Sequence, residues 1–157
     1  MHVDVQAKVT IARPREEVFA AAAGETDNLA KYFTGFAPLI PAIRDATLVD
    51  AASPGPGVLR RVALSDGTTL VERITDFEAP RLHAYEMAEM NPLQRLLCTN
   101  MVSRWTFEDA PGGTRVVWDY RILPRTALHQ PLAWVVGRLF ARAMQRCLDN
   151  LARDLQP

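Results

Sequence analysis

The chain has 157 residues and a mass of 17.5 kDa, which is the size of one ordinary domain; with 48% hydrophobic and 23% charged residues it is not a disordered chain. Its 18 Lys and Arg balance 18 Asp and Glu, and this neutrality argues against a nucleic-acid binder held by counterion release. Two cysteines and three histidines, scattered along the chain, make no metal-ligand spacing and no disulfide framework, so no metal or cofactor is expected.

The N-terminus lacks the basic and apolar regions of a signal peptide, and no apolar run reaches the roughly 18 residues of a membrane span. The expectation is one cytoplasmic domain over residues 1–157, without stable membrane insertion, as a monomer or homodimer. In chain order, Val3, Val5, Ala7, Val9 and Ile11 alternate with polar residues, which predicts a strand with one buried face. Pro14 opens a helix favoured by Glu16 and Glu17 and stopped at Gly24. Thr26 and Asp27 look like the cap of a second short helix ending near Phe33. Strands are expected over residues 43–49, 58–64, 68–77, 82–88, 98–107 and 114–123, separated by turns rich in Pro and Gly. Asn91-Pro92 breaks the chain after the strand over 82–88. Residues 127–155 form one long helix, with Val136, Phe140, Met144, Leu148 and Leu151 on its apolar stripe; Pro131 and Gly137 weaken its first turns.

One strand, two short helices, six strands and a long helix make an α+β domain with an antiparallel sheet. A helix of roughly 40 Å cannot cover seven flat strands, whereas a strongly bent sheet wrapped around it can, and such wrapping tends to leave a cavity. Across the Ser65-Asp66-Gly67 turn, pairing Leu64 with Thr68 sets Val62 opposite Leu70 and Arg60 opposite Glu72. The apolar members make this the inner face, so a guanidinium and a carboxylate would meet within the domain. Arg44 shares parity with Ala46 and Leu48, which would turn it inward as well. Arg60 with Glu72 neutralises itself, and Arg44 would then leave a surplus positive charge for an acidic ligand to meet. The same pair also reads as a hydrogen-bonded core pair, or as part of the wet face if the register is one residue off. Tyr85 and Met87 share parity with His83; His83, at the strand start, is expected to be wet. Arg138, Arg142 and Arg146 form a helical row that could meet anionic lipid, although such a row is usually a solvated face.

The junction from Ile11 to Phe19, together with Gly57-Val58-Leu59-Arg60-Arg61-Val62, Glu72-Arg73-Ile74, Gly113-Thr114-Arg115-Val116-Val117-Trp118 and Leu148-Asp149-Asn150-Leu151, resembles the START-like, birch-pollen-allergen-like (SRPBCC) superfamily of polyketide cyclases/dehydrases and, distantly, the plant abscisic-acid receptors. The resemblance covers nearly the whole chain and implies a helix-grip fold. It also implies a ligand-binding cavity between sheet and C-terminal helix, with Arg44 and Glu72 at the polar end. Trp118, Tyr120, Leu139, Ala143 and Cys147 would line that cavity, and Phe33 and Phe36 would stand near its mouth. In the receptors the turn at Ser65-Asp66-Gly67 and the loop from Asn91 to Leu96 act as gate and latch; here the gate is shorter and lacks a proline. The favoured function is binding of a small hydrophobic or amphipathic, anionic molecule, lipid-like or polyketide-like, with no catalytic residue assigned. The alternatives are a cyclase/dehydratase-type enzyme, with Arg60 or Arg44 holding an oxyanion and Tyr85 or Glu72 moving protons, and a partner-binding or chaperone-like module whose cavity is closed by Trp118, Phe107 and Tyr85.

Overall fold

Alternation at the N-terminus becomes strand β1 (Val3–Ile11), buried at Val3, Ala7 and Ile11. The computed structural model describes residues 1–24 and 28–156; the expected cap at Thr26 and Asp27 lies outside the described residues. Helix α1 (Arg15–Phe19) carries Glu16 and Glu17 in its first turn, where negative charge suits the unpaired N–H groups, and it runs on as a π-helical turn to Gly24. Helix α2 (Asn28–Tyr32) completes the crossover to β2 (Ile43–Val49). There follow β3 (Leu59–Leu64), β4 (Thr69–Glu78), β5 (Leu82–Glu89), helix α3 (Pro92–Leu97), β6 (Cys98–Ala110), β7 (Gly113–Pro124) and helix α4 (Gln130–Leu155).

The seven strands form one antiparallel sheet in the order β1-β7-β6-β5-β4-β3-β2. This is the α+β, helix-grip arrangement expected, with α4 along the inner face. The β3–β4 register is the one read from the turn: Arg60 opposes Glu72, Val62 opposes Leu70, and Gly67 takes φ of +87°. Pairing is offset by bulges within β2, β4 and β6, and each bulge bends its strand.

Helix α4 lies chiefly against β1, then against β7 and α2. Gly137 permits this closeness: a Cβ there would come within 3.1 Å of Val3 Cγ1 and 3.3 Å of Val5 Cγ1. The glycine expected to weaken the helix is therefore the point at which the helix meets the sheet. The helix expected over residues 127–155 begins as a 3₁₀ turn (Ala127–His129) before α4, ahead of Pro131. At the other end Arg13 Nε donates to Leu155 O at 2.7 Å, and Asp154 accepts from Tyr32 Oη at 2.6 Å, joining α1 and α2 to the end of α4.

Gly113 sits where β7 passes the end of β1, and a Cβ on it would stand 2.0 Å from Ile11 O. Backbone cannot yield as a flexible side chain can. Gly113→Ala should therefore destabilise the domain by about 1–3 kcal/mol, read as a lowered urea midpoint. Gly55→Ala, with open space around its added methyl, should stay within about 0.5 kcal/mol of the parent. Equal midpoints for the two variants would refute this reading of the β1–β7 contact.

Candidate functional site

The inner face of the sheet is aromatic over β5, β6 and β7 and aliphatic over β1, β2 and β3. Phe19 meets Phe107 and Phe77 edge-on, with ring centroids 5.0 and 5.4 Å apart. Trp105 stacks on Trp118 at 4.2 Å, and Phe33 and Phe140 close over Trp118 from α2 and α4 at 6.1 and 6.3 Å. Phe140 reaches Tyr120 as well, at 4.7 Å. Inside this apolar frame stand two charged side chains, Arg60 and Glu72, each 5% exposed.

Cross-strand pairing brings them together. Arg60 Nε donates to Glu72 Oε2 at 2.8 Å, and Arg60 Nη2 donates to the same oxygen. The guanidinium lies over the Tyr85 ring, 4.8 Å from its centroid, and Arg60 Nη1 is 3.4 Å from His83 Nε2. Burial on its own would lower the Arg60 pKa; the Glu72 charge more than offsets this and holds it above the ordinary value. Burial, with Glu72 adding to it, pushes the Tyr85 phenol well up, and burial does the same to Tyr120. His83 is held down to about 3, by burial first and by the Arg60 charge second, so its ring is neutral near pH 7. Because a guanidinium only donates, Nε2 of that ring is the accepting nitrogen and Nδ1 carries the proton. Among the described residues His83 Nδ1 is buried without a hydrogen-bond partner, whereas Trp105, paired with His83 across β5 and β6, turns its indole N–H towards the Tyr85 hydroxyl and, with Ser103, holds back the rise of that phenol. Ser103 is already engaged, accepting from Trp118 Nε1 at 2.8 Å.

Several expected positions fall elsewhere. Arg44 is exposed: a bulge between Ile43 and Asp45 resets the parity of β2, so that Ile43 opposes Leu64, Ala46 opposes Val62 and Arg44 turns outward. The surplus charge that it would have supplied is therefore not built. His83, expected in water, is 3% exposed because Phe77 covers it from across the strand pair, at 5.5 Å. Leu139 is half-buried and lies off the packed stripe of α4; Phe140 takes the inward place, since about 100° per residue puts it in line with Ala133, Gly137 and Met144. Val62, Leu70, Tyr85, Met87, Trp118, Tyr120, Ala143, Cys147 and Phe33 are all buried. Phe36 is half-buried beneath Arg142 and Arg146, whose guanidinium carbons lie 5.8 and 5.3 Å from its ring centroid. Burial pushes the Cys147 thiol up to about 12, which makes it a small hydrophobe and a poor nucleophile.

Two contributors escaped the sequence reading. Trp105 and Ser103 share the inward parity of Met101 and Phe107 on β6, a signal that was available. The loop expected at Asn91–Leu96 is helix α3, announced by a capping box in which Asn91 Oδ1 accepts from Gln94 N at 2.9 Å and Gln94 Oε1 accepts from Asn91 N at 3.0 Å. Asn91 also donates to Thr68 Oγ1 at 3.4 Å, linking α3 to the β3–β4 turn. A cleft of about 660 Å³ opens there, lined by Leu70 and Met87 among others. Arg61, Thr69, Val71 and Glu89, of the parity opposite to Arg60 and Glu72, line it as well, and Met87 is the cross-strand neighbour of Glu72. A second cleft, about 750 Å³, is bordered by Asp4, Arg104, Asp119 and Tyr120; among the described residues that line the two clefts none belongs to α4.

Comparison with known proteins places this geometry. Residues 2–156 match the family model described as polyketide cyclase / dehydrase and lipid transport. Among solved structures the chain is similar to major latex-like protein 151 from Panax ginseng, with 10% identity, a TM-score of 0.71 and 99% of both chains covered. It is also similar to the di-domain ARO/CYC protein StfQ of the steffimycin biosynthetic pathway, with 11% identity, a TM-score of 0.71 and 98% of this chain against 50% of that one. XoxI from Bacillus cereus is 21% identical at a TM-score of 0.69, with 98% and 94% covered. Among curated proteins no match is found.

Removing one partner of the Arg60–Glu72 pair strands a buried charge. Glu72→Gln should cost about 3–5 kcal/mol in urea unfolding, whereas Arg60→Met with Glu72→Leu should lie within about 1 kcal/mol of the parent or above it. A double variant as unstable as the sum of its singles would overturn this view of the pair. His83 adds a pH signature. Its folded pKa of about 3 lies below the ordinary value of 6.5, so an unfolded chain takes up a proton that the folded one refuses. Stability should fall as pH drops from about 6.5 towards 3, by at most about 1.4 kcal/mol per pH unit. His83→Phe should flatten that slope, and parallel curves for the two proteins would show that His83 does not contribute.

Proposed function

The chain belongs to the polyketide cyclase/dehydrase and lipid transport family, within the START-like superfamily, and on that premise we propose that it binds a small, mostly apolar molecule whose polar end is an oxygen acceptor. The observation that supports this reading is the placement of Arg60, Glu72, His83 and Tyr85 inside an aromatic frame, with His83 Nδ1 without an acceptor among the described residues. Buried donors of this kind are costly unless something accepts from them. A ligand carbonyl or hydroxyl meets that need, and the surrounding rings suit an apolar body. The anionic head expected from the sequence loses its motive once Arg44 is outside, because Glu72 already matches Arg60, the one buried cation among the described residues. We therefore assign a neutral polar head, entering past Leu70 and Met87 from the cleft between the β3–β4 turn and α3.

Phe33, Trp118 and Phe140 pack over the sheet, so ligand entry on this reading requires those rings to part. The same packing supports a second reading, a partner-binding module whose interior stays closed. Catalysis has less support. A histidine with a pKa near 3 is a poor general base, and a phenol raised by burial gives up its proton reluctantly.

Titration with a long-chain fatty acid and with its methyl ester, followed by displacement of a fluorescent apolar probe, separates these readings. A neutral-head site should bind acid and ester within about threefold of each other, and Met87→Trp, which crowds the entry, should weaken both. Acid binding tenfold or more above ester would restore the anionic head, and no binding of either would favour the closed module. Organic extraction and mass spectrometry of protein taken from its native host would name the resident class.

A further inference from the structure

The outward face of α4 should be polar, yet over its first turns it is not. Leu128 is 90% exposed, Leu132 56%, Trp134 53% and Val135 48%. Leu93 and Leu96 on α3 are 70% and 67% exposed. The two segments adjoin, since Arg125 N donates to Leu97 O at 3.0 Å and the Arg125 guanidinium donates to Arg95 O. Exposed single leucines are ordinary, but six large apolar side chains at one end of a domain are a surface with a purpose.

The charge within these segments is of one sign, with Glu89 just before them at the edge of α3. No Asp or Glu occurs in residues 90–107 or 120–148, although the whole chain is neutral. Arg95, Arg125, Arg138 and Arg142 are exposed there, and among the described residues none has a carboxylate partner. Arg138 lies 4.9 Å over the Trp134 ring, which places a cation beside an amphipathic aromatic. The arginines follow the leucines along α4, so a cationic band borders the apolar one. A twofold contact between two copies would set this band against itself, and like charges disfavour it. No helix among the described residues is long and apolar enough to cross a membrane. We propose that this face docks peripherally on an anionic lipid bilayer, with Leu128, Leu132 and Trp134 entering the headgroup boundary and the arginines meeting lipid phosphates. Docking of this kind is independent of what the interior binds.

Sedimentation with vesicles tests it. Binding to phosphatidylcholine mixed with phosphatidylglycerol should exceed binding to phosphatidylcholine alone and weaken with salt. Arg138→Gln with Arg142→Gln should reduce it by about 30-fold, and Leu132→Asp by about tenfold or more. Leu132 and the two arginines are exposed, so circular dichroism should be unchanged in these variants. Trp105 and Trp118 are only 2% exposed, so quenching by brominated lipid should report Trp134. Failure to bind mixed vesicles, or binding that survives Leu132→Asp, would overturn the proposal. So would a dimer or a captured acidic protein that Leu132→Asp disperses while vesicles stay unbound.

Discussion

One helix has to cover a sheet of seven strands, and the rest of the domain is built around that mismatch. Helix α4 spends its closest approach on β1, where Gly137 removes the side chain that would hold them apart. The remaining inner face is left to side chains large enough to fill it, namely Trp105, Phe107, Trp118 and Tyr120 from the sheet and Phe33 and Phe140 from the helices. Bulges in β2, β4 and β6 bend the strands around this filling. The result is a thick aromatic interior in which the buried charges, Arg60 and Glu72, satisfy one another.

Arg60 and Glu72 occupy that room as a pair. Their attraction roughly cancels the cost of leaving water, so the pair adds little net stability and constrains what can sit beside it. A neutral His83, a protonated Tyr85 and a protonated Tyr120 are the consistent companions, because any further charge there would lack a partner. The chemistry left over is hydrogen-bond donation from fixed positions in a water-poor space. On the binding reading proposed above, that donation is what would recognise a ligand oxygen. The apolar face on α3 and α4 lies on the outside of the same fold, so interior and surface can answer to different partners.

The sequence made much of this legible because the relevant rules are local. Alternation in β1 and β7, the glycine of the β3–β4 turn and the stripe of α4 each depend on neighbours two to four residues away. From the turn alone the facing of Arg60 and Glu72 could be counted, and the structure has that register. The capping box of α3 was equally local, in Asn91 and Gln94, though it was read only as a break. The same counting placed Ala46 inward, as it is, but misplaced Arg44, because the extra residue between Ile43 and Asp45 breaks the alternation between the two, and a bulge leaves no mark in a single sequence.

What the sequence determined by itself was the order of the strands and of the helices other than α3, the parity of unbroken strands and the kinship with the START-like superfamily. What only the tertiary structure decided was which groups are dry. His83 is buried by Phe77, across the strand pair, and Leu139 lost its inward place to Phe140 because the helix is rotated to seat Gly137 on β1. The patch at Leu93, Leu96, Leu128 and Leu132 emerged because α3 is tied to the segment before α4 by Arg125. Burial is a property of what arrives from elsewhere in the chain, and periodicity, which reports only the side a residue faces, does not contain it.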